Sequence, residues 1–60
     1  MYVILKHIKE TNGTTSTTSV IDSHAEVLEF NTIEEAEYIR DILQVNSKSG
    51  RNTYVINQVN

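Results

Sequence analysis

The spacing of apolar residues changes along the chain, and each change predicts a different element. The segment Tyr2 to Lys9 is rich in β-branched and aromatic residues, which predicts a strand. Apolar and polar residues alternate from Glu26 to Phe30, as in a half-buried strand. From Ile33 the apolar residues recur about every 3.6 positions, which predicts an amphipathic helix. Strand character returns from Thr53 to Val59.

The helix start carries the most specific local signal. Thr32 can accept a hydrogen bond from the Glu35 backbone N–H, while the Glu35 side chain can reach back to the Thr32 N–H. This capping box fixes architecture and carries no chemistry. The apolar helix positions are expected on one face, and they are Ala36, Ile39, Ile42 and Leu43. The polar segment 46–50 should end the helix.

The resulting order, β-β-α-β, predicts an α+β fold, with a small, mainly antiparallel sheet that carries one helix on one face. A chain of 60 residues allows one domain, which we expect to span residues 1–60. Residues 10–19 contain an Asn12-Gly13 turn signal but almost no apolar side chain, so we expect a flexible Ser/Thr-rich loop whose ends can extend the flanking strands. Residues 18–30 form either one bent strand or two short ones, because a polar stretch interrupts them.

The second face of the predicted sheet carries apolar residues that one helix cannot cover. Val3 and Leu5 point away from the face that holds Tyr2 and Ile4. The chain has no cysteine for a disulfide and no cluster of four metal ligands, so the usual supports of a small fold are missing. We therefore expect a homo-oligomer, a dimer or a higher assembly. The alternative is that the Ser/Thr loop folds over the open face.

Charge and composition exclude several classes of function. A formal charge of −3 argues against binding of duplex DNA, which depends on an excess of lysine and arginine. No apolar run is long enough to cross a bilayer and the start lacks a signal-peptide plan, so we expect a soluble, cytoplasmic protein without a membrane partner.

Groups that could support catalysis are few. His7 and His24 are interpreted as structural or solvated, and the glutamates that follow Thr32 as helix-capping residues. We therefore expect no enzyme activity, no metal site and no cofactor.

The polar segment after the helix is the strongest candidate binding site. It combines two cations with hydroxyls, amides and a glycine, which are groups that bind anions, and an aromatic ring that can stack follows directly. The alternative is an ordinary helix-to-strand loop. The candidate residues are Asn46, Ser47, Lys48, Ser49, Arg51 and Tyr54.

Four motifs in series resemble a group of very small proteins encoded by tailed bacteriophages. The motifs are Met1-Tyr-Val-Ile, the segment from Glu26 to Glu37, Asn46-Ser-x-Ser-Gly50 and Tyr54-Val-Ile. The pattern is also similar to small phage sponges that sequester nucleotide second messengers of bacterial immunity, as in anti-CBASS proteins. The resemblance covers nearly the whole chain outside the Ser/Thr loop.

This resemblance implies binding without turnover in the cytoplasm of a bacterial host. The ligand would be a cyclic nucleotide, such as the cyclic dinucleotide cGAMP, and a symmetric dimer would present Lys48, Arg51 and Tyr54 twice. Lys6 and the hydroxyls of Thr14 to Thr18 would add contacts. The competing hypothesis is a protein-interaction module that inhibits a host enzyme through its acidic helix face or an exposed sheet edge.

Overall fold

The computed structural model describes residues 1–48 and 50–59. They form an α+β fold with the predicted antiparallel sheet and one helix. The elements are β1 (Tyr2–Lys9), β2 (Thr15–Ser19), β3 (Glu29–Phe30), α1 (Ile33–Asn46) and β4 (Asn52–Gln58). Within this part of the chain, no helix combines the length and the apolar character that crossing a membrane requires.

Strand β1 lies at the centre of the sheet and pairs on both sides. β4 runs antiparallel along one side, with Ile4 opposite Ile56 and Lys6 opposite Tyr54. On the other side, β2 pairs with the second half of β1 and β3 with its first half, so the two short strands follow one another along the same edge. On the other side of β1, β4 is the edge strand of the sheet, because it pairs with β1 alone among the described strands.

The predicted flexible loop over residues 10–19 is replaced in part by strand β2. The Glu10 N–H donates to the Thr14 carbonyl at 2.8 Å, and Gly13 has a φ of +89°, a turn conformation that glycine adopts at little cost. Thr15–Ser19 then pairs with β1 from Lys9 back to Leu5. β2 is largely exposed and carries no apolar pattern. It still forms a strand, because β-branched threonines suit extended backbone and because its pairing with β1 holds it in place.

Residues 18–30 form two short strands rather than one bent strand. β2 ends at Ser19 and β3 begins at Glu29, and the chain between them leaves the sheet in a turn whose sides form a bridge between Ile21 and Val27. One carboxylate oxygen of Asp22 accepts bonds from two backbone N–H groups in this turn, at 2.8 and 3.1 Å. Local bonding by the aspartate thus stabilises the turn.

Helix α1 begins where the capping signal predicts. Thr32 is the N-cap, and its hydroxyl accepts a bond from the Glu35 N–H at 3.2 Å. Among the described residues, the reciprocal bond, in which the Thr32 N–H would donate to the Glu35 carboxylate, is not formed, and Glu35 is exposed. The helix ends at Asn46, and the Ser47 N–H donates to the Gln44 carbonyl at 3.2 Å.

The helix covers one face of the sheet and forms a small core there. The buried residues of this core are Ile4, Phe30 and Ala36. The half-buried residues packed against them are Tyr2, Val20, Leu28, Ile39, Leu43, Tyr54 and Ile56. The prediction that Ile42 lies on the same helix face was wrong: Ile42 is 41% exposed, because Ile39 and Leu43 fill the positions that pack on the core. Val3 is buried on the opposite face, where strand alternation also places Leu5, Val55 and Val59.

Candidate ligand-binding site

A row of three cross-strand neighbours crosses the helix-covered face of the sheet beyond the core. The register sets Thr18 opposite Lys6 on one side of β1 and Tyr54 opposite Lys6 on the other. The Lys6 Nζ lies 5.9 Å from the centroid of the Tyr54 ring, close enough for the ring to attract the cation. The row therefore brings a hydroxyl, a positive charge and an aromatic ring together.

This row opens into a cleft of about 300 Å³ between β2 and the second half of α1. The remaining lining residues are Ser19, Val20, Ile21 and Leu43. Among the described lining residues, Lys6 supplies the charge, and the polar groups around it are hydroxyls and backbone. The cleft thus presents one ammonium group and hydrogen-bonding groups above an apolar floor, a combination suited to a small anionic ligand with an apolar or aromatic part.

Gln44 fixes the position of Tyr54 in this cleft. Because β4 is an edge strand, the N–H and C=O groups on its outer side need hydrogen-bond partners outside the sheet. The Gln44 side chain supplies two: its amide donates to the Asn52 carbonyl at 3.0 Å, and its oxygen accepts from the Tyr54 N–H at 3.0 Å. These bonds tie the last turn of α1 to the start of β4. Sequence reasoning missed Gln44, since its partners are set by the fold.

The predicted loop residues do not gather at one place. Tyr54 lines the cleft, whereas Asn46 lines a separate hollow on the outer side of α1. Ser47 caps the helix, and its hydroxyl is buried without a hydrogen-bond partner in the described part of the chain. Lys48 is exposed directly after this cap. Ser49 lies outside the described residues.

Arg51 lies at the far end of the sheet from the core. It is exposed, and its carbonyl accepts a bond from the Lys9 N–H at 2.9 Å, next to the β1–β2 hairpin. Tyr54 follows three residues later, so the two Cα atoms are roughly 10 Å apart along β4. The structure thus joins Lys6 and Tyr54 in one cleft, whereas Lys48 and Arg51 are not among its described lining residues.

The histidines and carboxylates lie elsewhere. His7 is on the open face of the sheet, where its Nδ1 lies 2.8 Å from the Thr17 hydroxyl, and His24 is exposed in the Asp22 turn. Among the described residues, no group of three or more histidine and acidic side chains could hold a metal ion. The described polar and aromatic groups that the fold brings together are therefore those of the cleft, Lys6, Thr18 and Tyr54.

Comparison of the chain with protein-family models, with curated proteins and with solved structures found no match. The four motifs on which the expected resemblance was based fall on β1, on β3 and the start of α1, on the end of α1 and the segment after it, and on β4. These motifs also form the strands and the helix ends that the fold itself requires.

Proposed function

We propose that this chain is a phage immune-evasion protein that binds and sequesters a cyclic nucleotide second messenger of host antiviral defence, a cyclic dinucleotide such as cGAMP, without catalysis. It would act in the cytoplasm of the bacterial host. The observation that carries the proposal is the row formed by Thr18, Lys6 and Tyr54 at the mouth of the cleft.

Each group in the row matches one part of such a ligand. The Lys6 ammonium can pair with a phosphate, and the Thr18 hydroxyl can donate a hydrogen bond to a phosphate oxygen. The Tyr54 ring offers a surface for a base, since stacking on an aromatic side chain contributes about 1–3 kcal/mol per base. These are binding groups, and the proposal is therefore one of stoichiometric capture.

The size of the cleft limits how much of the ligand it can hold. At about 300 Å³ it lies at the small end of ligand pockets and suits one nucleotide unit. Lys48 and Arg51, which flank the approach to β4, are expected to contact the remaining phosphate outside the cleft. Arginine is suited to that role because its planar guanidinium can form two parallel bonds to a phosphate.

Calorimetry with a panel of cyclic and linear dinucleotides tests this proposal. Lys6→Gln should weaken binding about ten- to a hundredfold, as expected for loss of a charged hydrogen bond of roughly 1.5–3 kcal/mol. Lys9→Gln is the matched control, because Lys9 is an exposed lysine of the same strand on the opposite face. It should bind nearly as the wild type does.

Chromatography of the recovered ligand tests the absence of turnover. The ligand should be released intact after denaturation of the complex. The proposal fails if no member of the panel binds, or if Lys6→Gln and Lys9→Gln have equal effects. Recovery of a cleaved ligand would replace it with an enzymatic function.

A further inference from the structure

Edge strand β4 directs a row of backbone groups away from the sheet. Its pairing with β1 is marked at both ends, where the Lys9 N–H donates to the Arg51 carbonyl and the Val59 N–H to the Met1 carbonyl, each at 2.9 Å. Because hydrogen-bonded and non-hydrogen-bonded pairs alternate along an antiparallel ladder, every second residue of β4 faces β1 and the residues between them face outward. The outward residues are Asn52, Tyr54, Ile56 and Gln58.

Gln44 occupies the first half of this outer side. Its amide bonds to the Asn52 carbonyl and the Tyr54 N–H take the place of a neighbouring strand there. In the second half, no hydrogen bond within the described part of the chain reaches the N–H or C=O groups of Ile56 and Gln58. The edge that is open to another strand therefore runs from Ile56 to Gln58.

The sequence of β4 has none of the features that keep an edge strand unpaired. Proteins protect such edges with lysine, proline, bulges or very short strands. Asn52–Gln58 is seven residues long and contains no charged residue, proline or glycine. It pairs with β1 residue for residue, without a bulge. By these criteria the open part of β4 is a surface for strand addition.

The opposite edge of the sheet, formed by β2, is less suited to pairing. The Val20 N–H donates to the Ile4 carbonyl, and the same alternation directs the backbone of Thr15, Thr17 and Ser19 outward. All five residues of β2 are Ser or Thr, and four of them are exposed. A strand added there would pair hydroxyl side chains with its own and would bury no apolar group of β2.

The open groups of β4 complement those of a second copy in one register. A twofold axis at Asn57 sets Ile56 opposite Gln58 of the second copy, and Gln58 opposite its Ile56. Both are hydrogen-bonded pairs, so all the open N–H and C=O groups of the two residues receive partners. An axis at Ile56 would direct the second strand at the Tyr54 N–H, which already bonds to Gln44.

The same register also matches side chains on the open face of the sheet. It sets Val55 against Val59 of the second copy on both sides of the axis, and cross-strand pairs of β-branched residues stabilise a sheet. Asn57 meets the Asn57 of the second copy in a non-hydrogen-bonded pair, where the Cα atoms are about 4.5 Å apart. At that distance the two amides can donate to each other.

The helices of the two copies would form a second contact above the joined strands. Gln44 identifies the flank of α1 that faces the outer side of β4, and helical spacing places Ile33, Glu37 and Arg40 on this flank. Ile33 is 42% exposed there. Because α1 packs mainly on β4 and β1, the twofold axis would set the two helices about two strand spacings apart, roughly 10 Å. Packed helices lie at about this distance.

We propose that a second copy of this chain pairs with the open edge of β4, through residues 55–59 of both copies, and joins the two sheets into one. The contact uses the outer side of β4, whereas the cleft lies between β2 and α1. It therefore does not depend on the proposed nucleotide binding.

The paired segment is short, and this determines how association should be measured. Such a contact lies at the small end of specific interfaces, so the dimer should form in the micromolar range. Sedimentation from about 1 µM to about 1 mM should show the mass rising from 6.8 kDa to twice that value and no further.

Amide hydrogen exchange locates the contact. The N–H groups of Ile56 and Gln58 should exchange rapidly in dilute solution and about tenfold more slowly where the dimer is formed. The Tyr54 N–H should be protected at both concentrations, because Gln44 binds it. Thr17 is the control, since its N–H faces outward on β2 and should exchange rapidly at both concentrations.

Charge at the axis tests the register. Asn57→Lys sets two lysines against each other and should weaken the dimer about tenfold. Asn57 is exposed, so the fold should tolerate the change, and circular dichroism checks this. Thr53→Lys is the matched control, because Thr53 is exposed on the same face of β4 but next to the half that Gln44 occupies. It should associate within about threefold of the wild type.

Mixing of variants tests the twofold symmetry. Asn57→Glu alone should also weaken the dimer, since it sets two carboxylates against each other. An equal mixture of Asn57→Lys and Asn57→Glu chains should restore the dimer, because opposite charges then meet at the axis.

Four results would overturn the proposal. They are a mass near 6.8 kDa at every concentration, assemblies that grow beyond the dimer, protection that appears at Thr17 in place of Ile56 and Gln58, and a dimer that Asn57→Lys and Thr53→Lys affect equally. Growth beyond the dimer would indicate pairing of β4 with β2 of the next copy, which leaves an open edge at each end.

Discussion

Shortening Ile4 to valine should destabilise the protein measurably, whereas the same change at Ile21 should have little effect. Ile4 is 0% exposed and packs with Phe30 and Ala36, while Ile21 is 54% exposed. Loss of one buried methylene in an Ile→Val change costs roughly 0.5–1.5 kcal/mol. Isoleucine and valine are both β-branched, so the substitution hardly changes the strand propensity. The difference between the variants therefore reports burial.

The expected effect is large relative to the stability of so small a domain. At about 0.05–0.15 kcal/mol per residue, the total free energy of unfolding is about 3–9 kcal/mol. For a domain of this size, 1 kcal/mol shifts the Tm by about 4–8 °C. Ile4→Val should thus lower the Tm by several degrees, and Ile21→Val by less than about 2 °C.

Thermal unfolding followed by circular dichroism measures both shifts. Protein concentration must be equal for all variants, because self-association raises the apparent Tm. Urea unfolding should give the same m-value for both variants, which checks that the denatured state has not changed. Equal Tm shifts for Ile4→Val and Ile21→Val would refute the position of Ile4 in the core.

Other positions give further tests of the fold by the same thermal assay. Phe30→Ala should cost about 3–5 kcal/mol and leave the chain largely unfolded, whereas half-buried Leu43→Ala should cost closer to 2 kcal/mol; the reverse order would contradict the packing. Asp22→Ala should lower the free energy of unfolding by about 1 kcal/mol, because two hydrogen bonds to its carboxylate are lost. Ala25→Gly should raise it by up to about 1 kcal/mol, because Ala25 has a φ of +62°, which glycine adopts without strain. Gln44→Met, which keeps the length but loses both bonds to β4, should lower the Tm and weaken any ligand that contacts Tyr54.

The parts of the fold that sequence predicted are those that depend on local signals. The Thr32 cap and the helix that follows it were predicted at the residues where they occur, because capping involves side chains three positions apart. The strands β1 and β4 were also predicted, since their apolar residues lie on both faces of a strand. The α+β class follows from these elements alone.

Strand β2 was predicted only to the extent that the ends of the Ser/Thr loop can extend the flanking strands, because nothing in its own side chains requires a strand. Four of its five Ser and Thr residues are exposed, and none is apolar, so no hydrophobic pattern marks the strand. What stabilises β2 is the available edge of β1, reached through the turn at Gly13. A polar segment next to an unpaired strand edge can gain backbone hydrogen bonds there, and its amino-acid composition does not predict this pairing.

The candidate cleft was predicted in part for a similar reason. Lys6 and Tyr54 were both proposed as contacts, but only the β1–β4 register makes them neighbours. The contributions of Leu43 and Gln44 depend on how α1 crosses the sheet. Such a crossing is set by packing of the whole core and has no local sequence signal.

The helix separates the cleft from the outer surface of α1, and this allows the position of the candidate site to be tested. Leu43 faces the cleft on the inner side of α1, whereas Val45 is 82% exposed and does not line the cleft. Lys6→Gln should therefore weaken nucleotide binding, while Val45→Glu should leave the affinity per chain within about threefold of wild type. Calorimetry on the two variants measures both affinities. If Val45→Glu removed nucleotide binding from a chain that is still folded, the outer side of α1 would have to contribute to the site, and the cleft alone would be the wrong description of it.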